Sequence, residues 1–234
     1  MNNLDLSSKS FDEFVDFFFS REVVPDEEQF DYFLTGLAGE KYAEAVPSSP
    51  IMLVAHMTKL FSSFGQIAMK YSPMQVDQAV WGMLGANLRL YEFVFDPSIP
   101  LPARLECIRS MYCVFSDFVA KSNAAPREDL SGFWMWWDLV LHGFWTHEKP
   151  VVPGTYRGDP SRLDSDSLAM LEVLFETLTR ILDLPNAEAQ RCALHGLGHL
   201  YHPKVRAVVQ QYIDTKKSEF PVAWLEECRD GDVQ

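Results

Sequence analysis

Two histidines, His195 and His199, stand four residues apart in the segment ALHGLGHLYHP, and His202 follows directly. On a helix, positions i and i+4 share a face, so the two imidazoles can converge on one zinc ion. The spacing is that of the zinc-protease helix, whose second position carries a general-base glutamate. Gly196 occupies that place here. A metal-dependent enzyme built on His195 and His199 would therefore need a carboxylate from another helix. The plainer explanation is two histidines at a helix interface, hydrogen-bonded to their neighbours. On spacing alone no cofactor is assigned.

The densest aromatic run is Phe133, Trp134, Met135, Trp136 and Trp137, followed by His142, Phe144 and Trp145. Trp134, Trp137, Leu141 and Phe144 fall on one helical stripe and belong to a core. Trp136 and Trp145 lie off it. Uncovered, they form with His142 an aromatic patch suited to a protein or peptide partner. The segment 148–164 beside them holds Pro150, Pro153, Gly154, Gly158 and Pro160 and has no periodicity. So long an irregular stretch is either a tether or a functional loop. In the second case Tyr156 and Arg157 are its contact residues. The candidate binding residues are thus Trp136, His142, Trp145, Tyr156 and Arg157.

Other chemistry is not encoded locally. The serines form no G-x-S-x-G elbow, and the isolated glycines form neither a P-loop nor a dinucleotide fingerprint. Asp164 and Asp166 suit a helix start better than a metal loop. Cys107, Cys113, Cys192 and Cys228 include no C-x-x-C pair and are expected as small apolar side chains. A net charge of −13 opposes nucleic-acid and anionic-membrane partners. The polar start has no secretory pattern, and no apolar run reaches the roughly 18 residues of a membrane span. A cytoplasmic protein is expected.

The elements that must position these residues are helices. Leu53, Met57, Leu60, Phe64, Ile67 and Tyr71 follow a 4-3-4-3-4 spacing, and comparable stripes recur along the chain. Period-2 alternation is absent, and no sheet is assigned. Ser10 with Glu13, and Ser72 with Gln75, have the form of capping boxes. Asn186 suits another N-cap. The pattern predicts helices over 11–20, 26–37, 50–71, 73–95, 102–121, 127–146, 165–183, 187–201 and 204–215, and a short one over 220–228. Second stripes, such as Cys107, Met111, Val114 and Phe118, require neighbours on two sides. Short turns between 50 and 146 predict that consecutive helices pack as antiparallel neighbours. Phe14 and Phe18 dock the first helix, whereas Phe17 and Phe19 are harder to hide and suit contact with another chain.

The expected fold is all-α, a single domain over 1–234 of about nine or ten helices in stacked antiparallel hairpins. Sub-blocks 1–147 and 165–234 are joined by the irregular loop. The segment PNAEAQRCALHGLGHLYHPKVRAVVQQYID has a small-residue first helix, a turn at His202-Pro203 and a Val/Ile-rich second helix. It resembles a HEAT-type helical repeat over about residues 185–215, although no regular repeat of 40–47 residues runs through the chain. The resemblance implies an α-α superhelical scaffold that binds other macromolecules. The function expected is a non-catalytic helical-repeat interaction module with a protein or peptide partner, in a bacterial accessory or immunity-type role. The alternative is the metal-dependent enzyme using His195 and His199.

Overall fold

The computed structural model describes residues 2–25, 32–85, 88–122, 130–146, 158–215 and 220–233. These are helices α1 (Phe11–Phe19), α2 (Pro50–Ser62), α3 (Phe64–Ala68), α4 (Pro73–Leu84), α5 (Tyr91–Val94) and α6 (Leu101–Asp117). After them come α7 (Ser131–Trp134), α8 (Trp136–Thr146), α9 (Ser165–Leu182), α10 (Ala187–Leu200), α11 (Val205–Thr215) and α12 (Val222–Asp230). The fold is all-α. A two-stranded parallel ribbon, β1 (Asn2–Leu4) with β2 (Tyr42–Ala45), is an addition that the lack of alternation did not foretell. Strands of three and four residues are too short to carry a period.

Helix starts follow local chemistry. Ser10 accepts from the backbone N–H of Glu13, whose carboxylate accepts in return, and Ser72 and Gln75 repeat the arrangement. Asp164 accepts from Ser167 N at 2.7 Å, and Asn186 from Ala189 N at 2.9 Å.

Interruptions follow tertiary demands. The expected helix 50–71 breaks at Ser63, and Gly65 then approaches the end of α6 so closely that a Cβ there would lie 2.6 Å from Asp117 O. The run 73–95 stops at Gly85 and resumes only as α5. The run 127–146 is divided at Met135 into α7 and α8. The described part of the expected helix 26–37 is mostly turn. There the guanidinium of Arg21 takes the carbonyls of Phe17, Tyr32 and Thr35, and Gly39 at φ 87° reverses the chain toward β2.

One contiguous apolar core runs from Leu4 to Val233 and draws on both expected sub-blocks. Phe17 and Phe19 belong to it, at 2% and 0% exposure. Phe17 meets Phe33, and Phe19 meets Phe64 and Tyr71. Their expected role in contacting another chain is therefore corrected: α1 exposes Asp12, Glu13 and Asp16 and turns Phe14, Val15, Phe17, Phe18 and Phe19 into the core. Packing is not simply sequential. α2 packs chiefly on α6, α6 also on α9, α9 on α10, and α10 also on α8 and α12. Consecutive helices pair closely at α9–α10 and α11–α12, whereas α10 and α11 touch each other less. Among the described residues, no helix is long and apolar enough to cross a membrane.

Candidate functional site

The site begins with a glycine. At Gly196 a Cβ would lie 2.7 Å from the Cβ of Trp137 on α8 and 2.8 Å from Leu178 Cδ2 on α9. Only a residue without a side chain lets α10 come this near both helices. The approach brings His195 and His199 against α7 and α8.

α7 is itself pinned. Asp77 on α4 accepts from Gly132 N at 2.8 Å and from Ser131 Oγ at 3.2 Å, and Trp81 Nε1 donates to Ser131 Oγ at 3.0 Å. Trp134, at the end of α7, is thereby set against His195. Their rings stack with centroids 4.3 Å apart and an interplanar angle of 4°. The Trp134 carbonyl is 3.4 Å from His195 Nδ1. A carbonyl only accepts, so the proton of His195 belongs on Nδ1 and the lone pair on Nε2. That lone pair faces His199 Nε2, 3.1 Å away. His199 Nε2 in turn lies 3.7 Å from Asp138 Oδ1 on α8.

Both imidazoles are held neutral at pH 7. Burial pushes His195 down to about 4, with the neighbouring His199 adding to the effect and Asp138 opposing it. Burial also lowers His199. His195 is 2% exposed, whereas the side chains of His199 and Asp138 are 21% and 35% exposed. They reach a cleft of about 460 Å³ between α8 and α10. Its walls are Trp134, Leu141, Trp145, Tyr201 and Val233, and its polar groups include Asp138, His142, Thr146 and the histidine pair. Tyr201 caps α10 in the left-handed region at φ 53°, ψ 25°, an uncommon conformation for a bulky residue other than glycine.

The expected binding residues separate. His142 is exposed on the cleft rim, and Trp145 lines the cleft although it is 3% exposed. Trp136 does not reach it. It is fully buried among Phe61, Phe115 and Phe133, and its placement in a binding patch is corrected: the layer formed by α2 and α6 covers the second face of α8. Tyr156 and Arg157 lie outside the described residues. His202 is engaged elsewhere, stacked on Phe175 at 4.2 Å and 3.1 Å from Glu172 Oε1.

Sequence reasoning missed Trp134, Asp138, Tyr201 and Val233. One signal was available. Asp138 and His142 are an i, i+4 pair of polar residues in an aromatic helix, matching His195 and His199 on the facing helix. Tyr201 and Val233 had no local signal.

No protein family, curated protein or solved structure matches this chain.

Proposed function

We propose that the chain is a non-catalytic binding module that seats a cationic side chain, Arg or Lys, of a protein or peptide partner in the α8–α10 cleft. The observation that carries this is the composition of the walls. Among the described lining residues Asp138 is the one carboxylate, and there is no Lys or Arg. The imidazoles behind it are neutral, so among the described lining residues nothing balances its charge. The part-exposed Trp134 and Tyr201 supply aromatic surface to which a guanidinium or ammonium is attracted, each such contact contributing about 0.5–2 kcal/mol, while Trp145, 3% exposed, closes the wall. The net charge of −13 raises the encounter rate with a basic partner at low ionic strength.

This agrees with the scaffold role that the HEAT-like resemblance implies. We further assign the protein to a reducing cytoplasm, as an accessory or immunity-type protein. Four free cysteines, three of them buried, support the compartment.

The test is a tryptophan-fluorescence titration of the full chain in EDTA. The ligands are capped Gly-X-Gly tripeptides with X = Arg, Lys, norleucine or Glu. Arg and Lys should bind with dissociation constants on the order of 1 mM, as befits about 4 kcal/mol from a single side chain. Norleucine should bind more weakly and Glu not measurably. Asp138→Asn should abolish the preference for the cationic peptides. Equal binding of the Glu peptide, or an unchanged order in Asp138→Asn, contradicts the proposal.

A further inference from the structure

We infer that His195 and His199, with Asp138, form a binding site for a divalent transition-metal ion of the zinc type at the floor of the cleft. Zinc bonds imidazole nitrogen at about 2.0–2.1 Å in a near-tetrahedral array, which sets neighbouring ligand nitrogens roughly 3.1–3.5 Å apart. The two Nε2 atoms are 3.1 Å apart. Zinc-bound histidines as a rule donate their other N–H to a carbonyl or carboxylate, which fixes the tautomer and raises the basicity of the ligating nitrogen. His195 has that partner in the Trp134 carbonyl, and the stack on Trp134 fixes the ring plane.

A metal ligand must present a lone pair, and the Trp134 carbonyl at Nδ1 leaves that of His195 on Nε2. His199 would have to move its proton from Nε2 to Nδ1 to offer its own lone pair beside that of His195. Among the described residues no group of three or more His, Cys, Asp or Glu stands ready to hold an ion. The third ligand therefore requires a side-chain rotation. Asp138 is placed for it, with Oδ1 3.7 Å from His199 Nε2 and a third of its side chain exposed to the cleft. The helices on either side are fixed by the approach at Gly196, so the pair is rigid and the carboxylate is the adjustable member. The cleft that His199 and Asp138 line would supply water as the remaining ligand.

The inference does not rest on the cationic side-chain proposal; the two share Asp138, so an ion held there replaces the cationic side chain, and the tests fail separately because one is read in EDTA and the other by cobalt. Full-length protein freed of metal with EDTA and desalted is titrated with Co²⁺ and followed by visible absorption. One equivalent should produce the intense d–d bands of a four-coordinate ion, and Zn²⁺ should abolish them. His199→Gln should weaken binding at least about 100-fold and Asp138→Asn about 10-fold. His202→Gln should leave it unchanged, because that imidazole is bonded to Glu172. Far-ultraviolet dichroism checks that each variant is folded; His199 is partly exposed and tolerates the exchange. Absence of d–d bands at millimolar Co²⁺, weak six-coordinate bands only, or equal binding by His199→Gln and His202→Gln overturns the inference.

Discussion

Replacing Gly196 by alanine tests whether α10 is held as near α8 and α9 as the site requires. The added methyl would lie 2.7 Å from Trp137 Cβ and 2.8 Å from Trp137 Cγ and Leu178 Cδ2. Carbon atoms prefer about 3.5–4.0 Å, so each contact is short by roughly 1 Å. Leu178 can rotate away. The Cβ of Trp137 is fixed to the backbone of α8, so α10 itself must shift. Overpacking of this kind costs about 1–3 kcal/mol, against which alanine gains about 1 kcal/mol in helix propensity. The balance is a net loss of up to about 2 kcal/mol.

Gly198 on the same helix supplies the control. There the short contact, 2.4 Å, is with the side-chain end of Val233, near the C-terminus, and the next is 3.2 Å. Gly198→Ala has the same propensity gain, and a small movement of Val233 relieves it, so it should be neutral or slightly stabilising. Urea unfolding followed by tryptophan fluorescence gives both values. If Gly196→Ala equals or exceeds Gly198→Ala in stability, the close approach that positions His195 and His199 is refuted.

Tyr201→Gly should relieve a left-handed backbone worth about 1–2 kcal/mol while losing the packing of a half-buried ring, centred 6.1 Å from Trp145. Unfolding stability should therefore change little, whereas binding of the Arg tripeptide should weaken several-fold; a variant that binds normally would show that Tyr201 is no part of the wall. In EDTA, His195 has its folded pKa near 4 against an ordinary 6.5, through burial first and His199 second. The unfolded chain then binds the proton more readily, so this contribution to stability is complete above about pH 6.5 and is lost as the pH falls toward 4. The loss between about pH 7 and 4.5 is about 2 kcal/mol, and His195→Gln should flatten that part of the curve; an identical slope in the variant contradicts it. Arg104 has a side chain 3% exposed, bonded to Asp166 at 2.7 Å, and its Nε has no partner among the described residues. Asp166→Ala leaves a buried charge with less compensation and should cost about 1–3 kcal/mol, whereas Arg104→Met should cost under about 1 kcal/mol. The reverse order by chemical denaturation would show that the ion pair stabilises the fold outright.

The helices were legible where their signals are local. Ser10, Ser72, Asp164 and Asn186 cap as their neighbours dictate, because a cap is a contact over three residues. The breaks at Ser63, Gly85 and Met135 were not legible, since an unbroken apolar period continues through them and the interruption answers to packing partners far away in sequence. The order of packing was hidden for the same reason: nothing within α2 names α6 rather than α4 as its neighbour. Trp136 shows the limit of a stripe argument. A residue off one stripe faces solvent only if no second layer covers it, and here α2 and α6 do. The histidine pair was legible from its spacing, but its carboxylate was not, because Asp138 is brought to His199 only by the approach at Gly196.

The account rests on the cleft between α8 and α10 being where a ligand enters. The six tryptophans give six indole N–H resonances, so a ¹H–¹⁵N titration of the full chain with the Arg tripeptide locates binding directly. The indoles of Trp134 and Trp145 should shift saturably, and those of Trp136 and Trp137, both fully buried in the core, should stay in place. Shifts at Trp224 or Trp81 without any at Trp134 and Trp145, or no saturable shift at all, would contradict it.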